Sequence, residues 1–303
     1  MLKQAIQKMR SNKRRRDSDG TMEKPATKMA KLLEDDWKAP RKIQKSSRIL
    51  HQFYQNIELM IKSANGTLYK AIEVGTKRSV CIKQIDKSRT KSFKSINQNL
   101  IPSEIYYHFR AYEASPRYVV EPIVWLEFQT YYAIVMEKPL ESNDLFEISR
   151  KKGAFDEKRA LIILTQAARC ARDLHEAGIC HRDIKDENIL INMSTLKIKL
   201  IDFGSATDTS NDSYSVTRGT PEYWAPEYYL EGRMVSEELT IWSLGAMFYI
   251  LLTGEWNFAP PAYTPNPEKE KKLSMTSRQL LQAMLCSNPF QRCKFKQLEL
   301  RNS

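Results

Sequence analysis

The sequence predicts an α+β protein of two lobes, a small β-rich lobe carrying one main helix and a larger, mostly helical lobe after it. Two observations carry this. Between about residues 50 and 137, apolar and polar residues alternate in short runs broken at Gly66 and at Gly75-Thr76, the period-2 pattern of half-buried strands. From Asp144 onward the period lengthens, and Leu161, Leu164, Ala168, Ala171 and Leu174 recur at three- and four-residue steps, as on one face of a helix. A chain of 303 residues with 42% apolar content has enough side chain for one large core or two modest ones.

In chain order, residues 1–46 come first, with 14 Lys/Arg against 6 Asp/Glu, so this stretch holds about +8 of the total +12. It is expected to be a basic, disordered tail whose order signal is one short helix near Met22 to Trp37, interrupted at Ala39-Pro40. Lys13-Arg14-Arg15-Arg16 has two readings, a nuclear-import or nucleic-acid patch and a solvated leader. The small lobe is expected over residues 47–137, with strands at His51 to Ile61, Thr67 to Val74 and Ser79 to Ile85, then a polar, basic loop from Lys87 to Asn99. The helix follows from Pro102 to Ala114, with proline in its first turn and Glu104 and His108 on one face. Strands at Tyr118 to Phe128 and Thr130 to Glu137 complete five.

A linker at residues 138–143 leads to the large lobe, residues 144–303. Its helices are expected over Asp144 to Lys151, Glu157 to Gly178, and residues 240–254, 276–286 and 294–299, with short strands at Ile189 to Ile191 and Ile198 to Leu200. The strongest apolar run, Thr240 to Leu252, is about 13 residues long and contains Trp242, Ser243 and Gly245, so it reads as a buried helix, too short for a membrane span. Met1 to Arg16 lacks the order of a secretory leader, and five cysteines without CxxC spacing fit reduced thiols. The expectation is an intracellular protein, cytoplasmic or nuclear, monomeric, with no membrane partner and with nucleic acid contacted at most through the tail.

The chemistry is concentrated in His181-Arg182-Asp183-Ile184-Lys185-Asp186-Glu187-Asn188, followed fourteen residues later by Asp202-Phe203-Gly204. These supply an aspartate able to accept a hydroxyl proton, a lysine two residues on, and an asparagine and a second aspartate whose oxygens suit a hard cation. Upstream stand Val80-Cys81-Ile82-Lys83 and, 21 residues after Lys83, Glu104; downstream stands Gly219-Thr220-Pro221-Glu222-Tyr223-Trp224-Ala225-Pro226-Glu227. As an ordered set these motifs resemble the catalytic core of eukaryotic protein kinases. Glu137-Lys138-Pro139, Asp144-Leu145-Phe146 and the run from His181 to Ile191 are similar, more narrowly, to the PIM family of serine/threonine kinases.

The resemblance implies the two-lobed kinase fold, ATP and Mg²⁺ as cofactors, and transfer to serine or threonine hydroxyls. On it, Asp183 is the base or hydroxyl-orienting group, Lys185 puts positive charge at the transferring phosphoryl group, and Asn188 and Asp202 hold Mg²⁺. His181 and Phe203 belong to a buried structural stack. Lys83 contacts the α- and β-phosphates and pairs with Glu104; Cys81 stands at the adenine face where alanine is usual; Met136, Glu137 and Pro139 form the hinge side of the pocket, which Leu190 also lines. A proline there removes a backbone N–H that would donate to adenine. The phosphate loop falls on Ile61, Ser63, Gly66 and Leu68, with one of three glycines present, which implies weaker ATP binding or slower transfer and leaves open a pseudokinase acting as a scaffold or binding module.

The PIM-like pattern also implies protein substrates with basic residues upstream of the acceptor, bound by Asp144, Glu187 and Glu255, while Ile250 stands where an aspartate is expected. Thr220 corresponds to the residue that bonds the catalytic loop, and Glu227 and Arg292 to a buried ion pair. Thr240 replaces the aspartate that most kinases use to brace that loop. Arg182 would receive a phosphate on the segment containing Ser213, Tyr214, Ser215 and Thr217, and Thr217 and the tail residue Ser18 are the candidate phosphosites.

Overall fold

In the computed structural model the alternating first half becomes an antiparallel five-stranded sheet of order β1-β2-β3-β7-β6, built from β1 (Tyr54–Ser63), β2 (Gly66–Glu73), β3 (Ser79–Asp86), β6 (Pro122–Glu127) and β7 (Tyr131–Glu137). Residues 48–63, 66–96, 98–210, 219–231, 235–255 and 266–300 are described. The basic run Lys13 to Arg16, the helix expected at Met22 to Trp37 and the phosphosites Ser18 and Thr217 lie outside them. Tyr54, Ala71, Val80, Ile82, Leu126, Ala133 and Val135 close one face of the sheet as a buried core.

Three expectations are corrected here. The first strand does not begin at His51: a short helix, α1 (Arg48–Phe53), precedes it. Leu50 and Phe53 both pack on the sheet core, and a three-residue spacing puts two side chains on one side of a helix but on opposite faces of a strand. Second, Lys87 to Asn99 is not a loop. A 3₁₀ turn at Lys87–Arg89, capped by Asp86 accepting from the Ser88 N–H at 2.8 Å, leads into a hairpin of β4 (Phe93–Ile96) and β5 (Asn99–Pro102). Phe93 and Leu100 face solvent while Ile101 is buried, and each strand is four residues long, too short for an alternation that would mark it in the sequence. Pro102 closes β5 and caps the main helix, α2 (Ser103–Ala114), from outside its first turn.

Third, Tyr118 to Val120 do not extend β6. They bond to the large lobe, the Leu200 N–H donating to Tyr118 O at 2.6 Å and the Val120 N–H to Leu200 O at 3.1 Å. Leu200 ends β11 (Lys197–Leu200), and its neighbour Lys199 donates to the carbonyls of Pro116 and Val119 at 3.1 and 2.9 Å. Ser115, just past α2, donates to Asp173 Oδ2 at 2.8 Å. The C-terminal end of α2 is thereby fastened to the large lobe.

That lobe is built on α4 (Glu157–Glu176) and α6 (Ser236–Thr253). Every residue of α6 from Leu239 to Thr253 is buried, so this helix has no polar stripe and serves as a central post. A small sheet of order β11-β10-β8, with β10 (Ile189–Asn192) and β8 (Ser142–Asp144), lies at the lobe's junction with the linker. Asp144 ends β8 and caps α3 (Leu145–Lys152), accepting from the Glu147 N–H at 2.7 Å, so it stands before the helix in which it was expected. A two-stranded pair, β9 (Ile179–Cys180) with β12 (Thr207–Asp208), brackets the catalytic segment. The remaining helices are α5 (Pro226–Glu231), α7 (Pro267–Glu270), α8 (Met275–Met284) and α9 (Phe295–Leu300). Among the described residues no helix is long and apolar enough to cross a membrane.

Candidate active site

Strand register sets the roof of the site. Cross-strand pairing aligns Ile61, Leu68 and Lys83 in one row, and Cys81 with Met136 in the next row on the same face. Gly66 has φ +136°, and a Cβ there would fall 2.4 Å from the Gln84 carbonyl oxygen. The one retained glycine of the loop is thus required by the close approach of β2 to β3. Ile61 is 56% exposed, and the Ser63 hydroxyl donates to Gly66 O at 3.2 Å.

Beneath the roof, Lys83 Nζ lies 2.7 Å from Glu104 Oε1 and 2.9 Å from Asp202 Oδ1. One ammonium therefore joins β3, α2 and the segment after β11. Burial pushes the Lys83 pKa down, but the two carboxylates more than offset this and hold it above its ordinary value. Burial likewise pushes Asp202 up, and the charge and hydrogen bond of Lys83 with the Gly204 N–H overcome it, leaving a pKa of about 2. Among the described residues Asp202 Oδ2 accepts no hydrogen bond.

The catalytic segment supplies the floor. Asp183 is held at both carboxylate oxygens: the Thr220 hydroxyl donates to Oδ1 at 2.8 Å and Asn188 Nδ2 to Oδ2 at 3.0 Å. Lys185 donates to Thr220 Oγ1 at 2.7 Å and lies 2.5 Å from Glu187 Oε2. The Ile201 N–H donates to Asn188 O at 3.0 Å, which sets Asn188 beside Asp202. The amide oxygen of Asn188 and the second carboxylate oxygen of Asp202 are hard donors of the type Mg²⁺ prefers. Arg182 donates from Nε to Ser205 O at 2.7 Å, and a Cβ on Gly219 would lie 2.4 Å from the Arg182 carbonyl oxygen. The segment carrying Thr220 can pack this closely on the catalytic loop because residue 219 has no side chain.

His181 and Phe203 are in the expected stack, ring centroids 4.9 Å apart, but sequence reasoning missed its third member. His108, one turn after Glu104, stacks on the Phe203 ring at 5.1 Å and bonds Val120 O through Nε2 at 2.9 Å. The only signal for it was the shared helix face with Glu104. Burial, reinforced by the Lys83 and His181 charges against the pull of Val120 O and Asp202, lowers the His108 pKa from 6.5 to about 4. Folded His108 thus binds no proton above about pH 4, whereas the unfolded histidine does so below about pH 6.5. Stability rises with pH across that window, and its acid end costs about 3 kcal/mol. His108→Leu is expected to flatten this part of the profile, read as the difference from the unsubstituted protein in urea midpoints at pH 5 and pH 7.5.

The hinge residue Glu137 accepts from the Glu121 N–H at 3.0 Å and pairs with Lys199 at 3.0 Å and Arg78 at 3.5 Å. Leu190 lies opposite Asp144 in the β10–β8 pair, at the lip facing the linker that contains Pro139. Of the acidic residues expected at the substrate face, Glu255 is engaged by Tyr249, Asn266 and Lys269, the last at 3.0 Å. Asp144 uses Oδ1 as a helix cap, and Glu187 is half-exposed beside Lys185. Thr240 bonds its own helix at Ser236 O, 2.7 Å away, and its hydroxyl lies 3.9 Å from the Sγ of Cys180, the residue before His181. Asp186, also unforeseen, accepts from the Tyr223 hydroxyl at 2.7 Å and ties the loop to the turn after Thr220. The pair Glu227–Arg292 forms as expected, with contacts of 2.7 and 2.8 Å.

A family model described as protein kinase domain matches residues 54–301. The chain is 32% identical over 243 residues to serine/threonine-protein kinase pim-2 of Danio rerio, covering 77% of this chain and 78% of that protein. It is 30% identical over 267 residues to serine/threonine-protein kinase prk-2 of Caenorhabditis elegans, covering 83% of this chain and 58% of that one. It is also 27% identical over 272 residues to serine/threonine-protein kinase 1 of African swine fever virus, with 85% and 82% covered.

Proposed function

The chain belongs to the protein kinase domain family, and from that premise we propose that it transfers the γ-phosphoryl group of ATP to serine and threonine hydroxyls of proteins carrying basic residues upstream of the acceptor. The observation that carries this is Asp183, whose carboxylate is held on both sides next to Lys185 while Lys83, Glu104 and Asp202 meet in the roof. Asp183 accepts the hydroxyl proton, the hydroxyl oxygen forms a bond to the γ-phosphorus, and the bond from that phosphorus to the bridging oxygen breaks to release ADP. Lys83 holds the α- and β-phosphates and Lys185 offsets charge on the moving group. Asn188 and Asp202 would hold Mg²⁺, which when bound would supply further neutralisation of the phosphates.

A PIM-like character within the family is supported by the Glu137-Lys138-Pro139 hinge and by the similarity to the Danio rerio protein. With Glu255 paired to Lys269, Glu187 paired to Lys185 and Ile250 uncharged, the preference for basic substrates rests chiefly on Asp144. Asp144→Asn keeps a good helix cap while removing charge, so it is expected to raise KM for an arginine-rich peptide roughly three- to tenfold and to leave KM for its alanine counterpart unchanged. We assign residues 47–137 and 144–303 to the two lobes and the cell interior, cytoplasm or nucleus, as the place of action. A second reading, a non-transferring scaffold, is favoured by the side chains at Ile61 and Ser63. Phosphate incorporation into the arginine-rich peptide, with Asp183→Asn run alongside, separates the two: incorporation above the variant supports transfer, and equal incorporation leaves the scaffold.

A further inference from the structure

The β4–β5 hairpin brings one charged side chain to a place that nothing in the transfer chemistry above accounts for. Lys94 on β4 pairs with the carboxylate of Asp208 on β12. Its ammonium also lies 5.3 Å from the ring centroid of Tyr107 and 6.0 Å from that of Tyr106, both on α2. Tyr107 is only 2% exposed, and its hydroxyl shares hydrogen bonds with Lys94 and Asp208. A single cation therefore touches three elements at once.

Each of those elements carries part of the site. α2 bears Glu104, three residues before Tyr107. Asp208 follows Asp202 by six residues, and β12 pairs Thr207 with Cys180, the residue before His181. The hairpin itself is tied to the start of α2 through the Ser103 N–H, which donates to Ser92 O at 3.0 Å. We propose that Lys94 is a positioning residue for phosphoryl transfer: it holds α2 and the segment after Asp202 in the arrangement in which Lys83, Glu104 and Asp202 meet. A cation suits this place because a carboxylate and the faces of two aromatic rings attract it from different sides. Lys94 is half-buried, so its pairing is open to screening by salt. The inference rests on the kinase reading above only for its activity measurements.

The test uses the full chain with Lys94→Met, Lys94→Arg, Asp208→Asn and the double variant Lys94→Met with Asp208→Asn. Lys94→Met is expected to lower kcat/KM for the arginine-rich peptide by roughly 3- to 30-fold, mainly in kcat, with Asp208→Asn similar and the double variant no worse than either alone. Lys94→Arg keeps the charge and is expected to stay within about twofold. The deficit of Lys94→Met shrinks as salt rises from about 0.05 to about 0.5 M, because the intact pair is the one that salt weakens. Independently of any activity, amide exchange over residues 103–114 and 202–208 is faster in Lys94→Met. Unchanged exchange in those segments overturns the inference, as does a deficit that Lys94→Arg fails to restore or that adds to that of Asp208→Asn. If the unsubstituted chain transfers no phosphate, the kinase reading fails, and the exchange measurement still decides the role of Lys94.

Discussion

Asp183→Asn is expected to lower kcat by roughly 10²- to 10⁴-fold while nucleotide affinity stays within about twofold of the unsubstituted chain. The side chain keeps its shape, and the Thr220 hydroxyl can rotate to accept from the new amide while Lys185 still donates to it. What disappears is the acceptor for the hydroxyl proton and a negative charge 3.9 Å from the Lys185 ammonium. Of the proposed nucleotide contacts, Lys83, Glu104 and Asp202 bond one another and not the altered carboxylate, and Asn188 keeps its bond to the Asp183 carbonyl at 2.8 Å. Single-turnover transfer to the arginine-rich peptide, with affinity measured separately by titrating a fluorescent nucleotide, checks both halves. A loss under tenfold would mean that Asp183 contributes little to the step.

The second large effect falls on stability. Arg292→Met is expected to cost about 3–5 kcal/mol, because it strands the buried Glu227 carboxylate. The guanidinium is fully enclosed: it meets both Glu227 oxygens at 2.7 and 2.8 Å, the Glu238 carbonyl at 2.8 Å and the Cys286 carbonyl at 3.0 Å. Its carbon Cζ also lies 4.9 Å from the Trp242 ring centroid. Arg292→Lys is expected to recover little, since an ammonium cannot bridge two carboxylate oxygens in one plane. The double variant Arg292→Met with Glu227→Met is expected to be more stable than Arg292→Met alone, because no unpaired charge remains buried. Urea denaturation followed by tryptophan fluorescence measures all three, and a single Arg292→Met loss below about 1 kcal/mol would contradict the account.

How far the sequence could be read depended on whether a feature had a local signature. The order of motifs around Asp183 and Asp202 is local, and the structure pairs Lys83 with Glu104 as expected and adds Asp202 to the pair. The β4–β5 hairpin is not: its strands are four residues long and Phe93 and Leu100 face solvent, so period counting saw only a polar, basic stretch, and Lys94 went unnoticed with it. His108 was placed on the right helix face, but its stacking on Phe203 depends on a contact across 95 residues that no spacing encodes. Gly66 shows the reverse case. It was read as the remnant of a phosphate loop, and the structure adds a second reason for it in the approach of Gln84 O. The carboxylate of Glu255 looked free in the sequence because Lys269 lies fourteen residues further along the chain.

The fastening of α2 at its C-terminal end makes that helix a lever with its pivot in the large lobe. Twelve residues at the rise of an α-helix span about 18 Å, and Glu104 stands near the far tip. A swing of α2 by about 10° about Ser115, relative to the sheet that carries Lys83, would move that tip by about 3 Å. The contact from Glu104 to Lys83 is 2.7 Å, so a swing of that size is enough to sever it while the bonds at Ser115, Tyr118 and Val120 barely stretch. A small rotation of α2 against the sheet would thus be felt most at the far end of the helix, where the roof lysine meets its carboxylate.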